Sequence, residues 1–320
     1  MKKFKRHLLP LESNGTYLFF IFIMLAVLIL SIAISIVFGS VEIKFGDVIG
    51  FLANKISGKR VVAPTWDNSI ESIIWDIRTP RVLTAFIVGA GLTLCGIVMQ
   101  ALTKNTLADP YVLGISQGAS SGAVFMIMYG SMFFYGQYGT VLGAFIGAVI
   151  SIVIALQIAK IRNKVTATQL ILAGIAVAAM FGALTNIMIY LQRTGSDKVK
   201  TAQYWMMGSL SGSTWERLVY VAIVFVICFI VIYAIRKMLD AMLLGDDVAL
   251  TLGVNTGGLK FIMILVATLL TGAIVSISGV IGFVGLTIPH ITRSVVGSKH
   301  TRLIPAATLV GGTFLVLADV

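Results

Sequence analysis

The sequence predicts an all-α, polytopic membrane bundle, and three observations carry that prediction. About nine long apolar runs cross the chain, at 17–39, 82–103, 112–135, 137–159, 167–191, 218–235, 259–277, 279–292 and 303–318, almost none with a charge inside. Each except the eighth is near or above the ~20 residues a helix needs to cross ~30 Å of hydrocarbon. Composition agrees: 58% of the 320 residues are hydrophobic and 12% charged, against roughly 25% charged in a soluble domain. The ten-residue alternation of a membrane barrel is missing, so the runs must satisfy their backbone groups as helices.

Element by element, the chain reads as one transmembrane helical domain over 1–320. A first span occupies 16–39. The apolar run behind the basic Met1 to Arg6 is longer than the 7–15 residues of a signal-peptide core, so the span is expected to be retained. An outer segment follows over 40–77, in which Phe45, Val48, Ile49, Leu52 and Ile56 lie at helical spacing and predict a short surface helix. Gly58 to Asn68 reads as an exposed turn region. Thr79-Pro80 has the form of an N-cap followed by proline at the first helical position, opening span two. Asp109-Pro110 repeats that pattern and opens span three after a tight inner connection. Spans two to six fill 78–235, a cytosolic segment fills 236–258, and spans seven to nine fill 259–320.

Spans three and four carry glycine at every fourth position: Gly114, Gly118, Gly122 and Gly139, Gly143, Gly147. Small residues at that spacing let helix backbones approach closely, which makes helix packing the expected role and a substrate groove the alternative. Residues 261–292 hold no charge for thirty-two positions, too long for one untilted span. The stretch must break, with Gly272, Gly279, Gly282, Gly285 and Pro289 as candidate places and Ser276 to Gly279 as the expected outer turn. A re-entrant segment is the rival.

Net charge is +11, yet the basic residues sit in short clusters between spans rather than along one face, so membrane topology explains them better than nucleic acid. With the N-terminus cytosolic, fourteen Lys and Arg lie inside and ten outside, the outer ones among most of the acidic residues. Cys95 and Cys228 fall in apolar runs as packing residues. Neither they nor His7, His290 and His300 form a metal constellation, and no metal, cofactor or catalytic group is expected.

The mid-span polar residues are amides and hydroxyls, namely Gln100, Gln117, Gln157, Asn186, Thr185 and Ser276. Proton coupling, which needs ionisable groups in the membrane, is therefore disfavoured, while sodium coupling through such groups stays open. The chain has no G-x-x-x-x-G-K-[ST] loop for ATP and no arrangement that supports a membrane-embedded enzyme. Two docking features remain. On the inner side Leu244, Gly245, Asp246, Asp247, Ala249, Leu252 and Gly253 outline a helix of two turns, with Asp246 as N-cap and Gly253 at C′, a handle for a soluble partner or an ordinary interfacial loop. On the outer side Arg78 and Arg81 run against the positive-inside trend and suit either capture of carboxylates or snorkelling to lipid phosphate.

Several blocks resemble a known family. Ile77-Arg78-Thr79-Pro80-Arg81, Gly89-Ala90-Gly91, Gly96 to Gln100, Asn105 to Pro110, Leu113 to Ala119, Tyr204 to Ser209, Leu244 to Gly253 and Gly282 to Leu286 with Pro289-His290 and Arg293 occur in order. They are similar to the FecCD-type permease subunits of iron-siderophore, haem and cobalamin ABC importers; nothing comparable covers 40–76. The resemblance implies a ten-span architecture, of which this chain shows about nine before stopping at Ala318-Asp319-Val320. It therefore looks truncated, without one pathway-lining helix and a third outer arginine. Where the family commonly has Glu after Leu-Gly, this chain has Asp246.

What the resemblance further implies is a bacterial cytoplasmic-membrane importer of ferric siderophore working by alternating access, with haem or cobalamin as alternative cargo. An ion-coupled secondary transporter is the alternative of another class. The implied partners are a second permease in a homo- or heterodimer, two cytosolic ATP-binding subunits that hydrolyse the ATP, an extracytoplasmic substrate-binding protein, and lipid, but no nucleic acid. Arg78 and Arg81 would receive the binding protein, Leu244 to Gly253 would couple to the ATPase, and Asn105, Leu107 and Val165 to Thr168, with Thr166 and Thr168 foremost, would lie near the cytosolic gate.

Overall fold

The structure, a computed structural model, describes residues 13–39, 41–59, 61–63, 66–130, 137–160, 166–192 and 196–320. These form a bundle of α1 (Asn14–Val37), α2 (Phe45–Ser57), α3 (Asn68–Ser72), α4 (Thr79–Thr103), α5 (Ile115–Tyr129), α6 (Gln137–Ala159), α7 (Ala167–Tyr190), α8 (Asp197–Met206), α9 (Trp215–Ala234), α10 (Arg236–Leu243), α11 (Asp246–Thr251), α12 (Thr256–Ser278), α13 (Val284–Val296) and α14 (His300–Ala318). Among the described residues, seven helical segments are long and apolar enough to cross a membrane: α1, α3 to α4 as one run, α6, α7, α9, α12 and α14. The polytopic helical class stands, but not every predicted span is a full one. α5 has 15 residues and α13 has 13, about 20 Å for the latter at 1.5 Å per residue, well short of the hydrocarbon thickness. The predicted end of span three at 135 lies outside the described residues.

α4 is the axle of the molecule. Most of its length is buried, with α12, α13 and α14 packed around it. The packing is set by backbone approach at glycines. A Cβ on Gly96 would stand 1.8 Å from the Gly285 carbonyl oxygen of α13, and one on Gly89 would stand 2.2 Å from that of Gly311 in α14. Antiparallel neighbours therefore match in depth: Arg81 meets Asp319, and Cys95 lies beside the Ala267 carbonyl of α12. Outward-facing helices such as α1 expose Leu18, Phe19, Phe22 and Ile29 to the surroundings, as a lipid-facing span should. Hydroxyls inside the spans donate to carbonyls one turn back, as Thr93 does to Gly89, Thr268 to Ile264 and Thr313 to Leu309, which removes the cost of burying them.

Two ends can be told apart. The near end gathers the N-terminus of α1, the C-terminus of α4, α10, α11 and the start of α14, because Arg302 bonds Asn14 and Asp246 pairs with Lys104. The far end gathers α2, the start of α4, the start of α9 and the end of α12. There Trp215 Nε1 donates to the Trp75 carbonyl at 2.9 Å, and Ser209 N donates to the Ser278 carbonyl.

Two local expectations need correcting, and a third, the break near Gly279, is met. Thr79 does not cap a new helix: α3 runs into α4 through a π-helical turn over Ile73–Arg78, and both the amide and the hydroxyl of Thr79 donate to the Ile74 carbonyl five residues back. The wider turn gives room for Pro80, whose ring would otherwise press on the carbonyl four residues earlier. Asp109 does cap, its carboxylate accepting from Tyr111 N at 2.8 Å. What it opens is a 3₁₀ turn over Pro110–Leu113, and α5 starts after Gly114. The run 261–292 breaks at Gly279, where the backbone reaches φ +65°, ψ −160°, a region that only glycine enters readily. Pro289 lies inside α13 and makes no break.

After Gly279 the chain turns back into the bundle before helix resumes. Val284 and Gly285 lie level with Leu92 and Gly96, halfway along α4, and Gln100 Nε2 donates to the Leu286 carbonyl. The 3₁₀ turn ahead of α5 sits at the same depth: Pro110 abuts Gly285, and the Tyr111 hydroxyl donates to the Ile281 carbonyl at 2.8 Å. α5 and α13 are thus half-depth helices whose N-termini meet at mid-bundle and whose axes run to opposite ends. At this meeting point Gly279, Val284, Gly285, Pro110 and Leu113 are buried while Gly282 and Phe283 are exposed; irregular backbone is tolerated at membrane depth where it packs in protein or lines a water-filled cavity.

The surface helix predicted in 40–77 exists as α2. Its buried face is Val48 and Phe51, with Phe45 and Ile49 exposed, and the Ile56 side chain lies outside the described residues. In the turn region after it, the Asn54 side chain holds Val61 and Val62 by three backbone hydrogen bonds of 2.7 to 2.9 Å.

Candidate functional site

The near end presents the segment Leu244 to Gly253. Gly245 adopts φ +120°, ψ 153°, which turns the chain sharply out of α10, and α11 follows as six residues. Gly253, at φ +82°, stands at C′ as the spacing predicts, with its N–H bonded to the Leu250 carbonyl and that of Val254 to Ala249. Asp246 is not the N-cap. It is the first helical residue, and its carboxylate instead pairs with Lys104 Nζ at 2.7 Å and Lys260 Nζ at 2.5 Å. Those two ammonium groups hold its pKa below the ordinary carboxylate value. Ala249 is buried, while Leu244, Val248, Leu250 and Leu252 expose apolar side chains and Asp247 follows Asp246 in the first turn. A short helix anchored by charge and apolar on its free side is suited to seat a partner.

Next to it lies the turn after α4. Asn105 N donates to the Gln100 carbonyl, its side-chain oxygen accepts from Leu107 N at 3.0 Å, and Leu107 is exposed. Thr166 caps α7 in a reciprocal box with Gln169: the Thr166 hydroxyl accepts from Gln169 N at 3.3 Å, and the Gln169 side chain accepts from Thr166 N at 3.1 Å. Thr168 is exposed beside it. Val165 lies outside the described residues.

At the far end the two arginines differ from one another. Arg78 is only 8% exposed, and its guanidinium donates to the carbonyls of Ile36, Val37 and Val41 at 2.5 to 2.7 Å. The π-helical turn swings it inward to satisfy the frayed end of α1, so its donors do not face a partner outside. Arg81 is partly exposed and makes a two-pronged pair with Asp319 at 2.8 and 3.0 Å.

The glycines of α5 and α6 face one another. A Cβ on Gly118 would stand 2.4 Å from the Gly147 carbonyl, and one on Gly122 would stand 2.0 Å from that of Gly143. Gly139 is buried. Gly114 lies outside this stripe, at φ +79° ahead of α5 and against Gly174 of α7. On the α5 and α7 surface, Gln117, Gly182, Thr185 and Asn186, with Met206 of α8, line a groove of about 460 Å³.

Long-range pairs escaped the sequence reading. Besides Lys104, Asp246 and Lys260, buried His300 bonds Asp240 of α10 twice, through Nδ1 at 2.6 Å and its backbone N at 3.0 Å. No spacing signal marks partners 60 residues apart.

The FecCD transport family model matches residues 27–320. The Fe(3+)-citrate import system permease protein YfmD of Bacillus subtilis is 32% identical over 310 residues, covering 97% of this chain and 87% of that protein. The molybdate import system permease protein MolB of Haemophilus influenzae is 33% identical over 250 residues, 78% of this chain and 72% of that protein. A solved structure described as an inward-facing conformation of a putative metal-chelate type ABC transporter superposes with a TM-score of 0.80 at 29% identity, over 93% of this chain and 88% of that one. With the half-depth helices, the anchored α11 and the far-end arginines in place, this chain belongs to the FecCD transport family and is a multi-pass ABC importer permease.

Proposed function

We propose that the chain conducts ferric siderophore, or a similar ferric chelate, across the bacterial cytoplasmic membrane as one half of a permease dimer. Two ATP-binding subunits act on its near end, which is cytosolic, and a substrate-binding protein docks at its far end. The observation that carries the cargo class is the groove of Gln117, Thr185 and Asn186. Bare ferric iron is a hard cation that needs anionic oxygen ligands, whereas the neutral amides of Gln117 and Asn186 suit iron already wrapped in an organic chelator; the buried Thr185 hydroxyl is taken up by the Phe181 carbonyl. The similarity to a ferric-citrate permease over nearly the whole chain favours the same class.

In this reading α11 is the coupling helix. Closure of the ATPases pushes on its exposed apolar face, and the turn at Asn105 to Leu107, with Thr166 and Thr168, opens or closes the cytosolic gate. Arg81 receives acidic residues of the binding protein. The permease forms no covalent bond with its cargo; it is a two-state element biased by ligands at both ends.

The test is uptake into proteoliposomes carrying the permease with its ATPase and binding protein. Ferric hydroxamate, ferric citrate, haem, cobalamin and molybdate are offered in separate arms. ATP-dependent uptake of a ferric chelate is the expected result. Preference for haem or cobalamin would move the cargo within the class, and uptake driven by an ion gradient without ATP would defeat the proposal.

A further inference from the structure

Lys104 stands in an unusual backbone conformation. At φ +52°, ψ +30° it ends α4 in the left-handed region, one of two non-glycine residues at positive φ among the described residues. Glycine fits that position with less strain and is the common choice there. A lysine at such a site needs a reason outside the backbone, and its side chain supplies one: the ammonium lies 2.7 Å from Asp246 at the start of α11, far away in sequence.

The geometry points to Lys104 as a positioning residue that links the coupling helix to the gate turn, an inference that rests on the coupling reading of α11 given above. Motion of α11 reaches Lys104 through Asp246. From Lys104 it passes directly into the next residue, Asn105, whose amide and side chain fix the turn to Gln100 and Leu107. The other oxygen of Asp246 grips Lys260 on α12, so α11 holds two spans by one carboxylate. Lys104 and Asp246 are more than a third exposed. Pairs in such surroundings are weak and break within a few ångströms, which suits a link made in one state of the transport cycle and released in another.

The measurement is ATP hydrolysed per ferric chelate imported by the full reconstituted complex, together with the melting temperature of each variant. Lys104→Gly relieves the backbone and should melt no lower than the parent, yet the ATP-to-cargo ratio should rise about two- to fivefold, the range an exposed ion pair supplies. Lys104→Arg should keep the parental ratio. In an Asp246→Asn background, Lys104→Gly should add nothing further. An unchanged ratio for Lys104→Gly, or a rise that comes only with a fall in melting temperature, overturns the link. Leu252→Asp is the separate arm for the coupling helix itself: ATP-driven uptake that survives it would bring down the coupling reading, whatever Lys104 shows.

Discussion

The two ends of the bundle use basic side chains in opposite ways. At the far end Arg78 is buried and its guanidinium completes the backbone of α1. At the near end Lys104 and Lys260 share a partly exposed carboxylate at the start of a short helix. A buried guanidinium bonded to three carbonyls is costly to disturb, while exposed ion pairs contribute little each. The Arg78 junction is therefore the harder of the two contacts to disturb.

The largest expected effect tests that junction. Arg78→Met leaves three carbonyls without their donors and should lower unfolding free energy by about 3 kcal/mol, read by thermal unfolding in detergent. A loss within experimental error would show that the α1 junction does not depend on it. Next comes the packing of α5 on α6. Gly122→Val drives a side chain into the Gly143 carbonyl and should cost about 1–3 kcal/mol, whereas the same change at exposed Gly46, with nothing within 4 Å, should cost far less. Equal losses at the two sites would refute the stripe as a close-approach surface.

A smaller effect is expected at the partly exposed arginine. Arg81→Glu should weaken docking of the binding protein about tenfold at low salt, with the difference shrinking as ionic strength rises. Unchanged affinity would confine Arg81 to its pair with Asp319. The smallest effect concerns pH. Because Lys104 and Lys260 depress the Asp246 pKa, the attachment of α11 is fully present above the ordinary carboxylate value of about 4 and weakens only as pH falls through the lower folded value. The ATP-to-cargo ratio should accordingly be flat from pH 8 to pH 5, and a step near pH 6 would point to a different group.

Much of the bundle was legible in the sequence because lipid demands long uncharged runs, and α1, α6, α7, α9, α12 and α14 all lie where those runs are. Depth was not legible. The run after Gly279 is as apolar as a lipid-facing span although α13 starts at the level of Leu92, and hydropathy does not report depth. The positions of Gly253 and of the Asp109 cap followed from local backbone chemistry, which sequence encodes within a few residues, whereas the N-cap of α11 falls on Gly245 and not on Asp246. The fate of Arg78 depended on a π-helical turn that shifts its direction, and the partners of Asp246 come from segments that only the fold brings together.

The half-depth geometry of α13 also bears on how the chain enters a membrane during synthesis. A helix of 13 residues is too short to be stitched across the bilayer alone, and its first turn and the backbone ahead of it meet their partners Gln100 and Tyr111 only when α4 and the turn before α5 are there to receive them. Insertion of this segment must be cooperative with neighbours made much earlier. A reporter fused just after Val296 is expected to land on both sides of the membrane, and one fused after α14 on a single side.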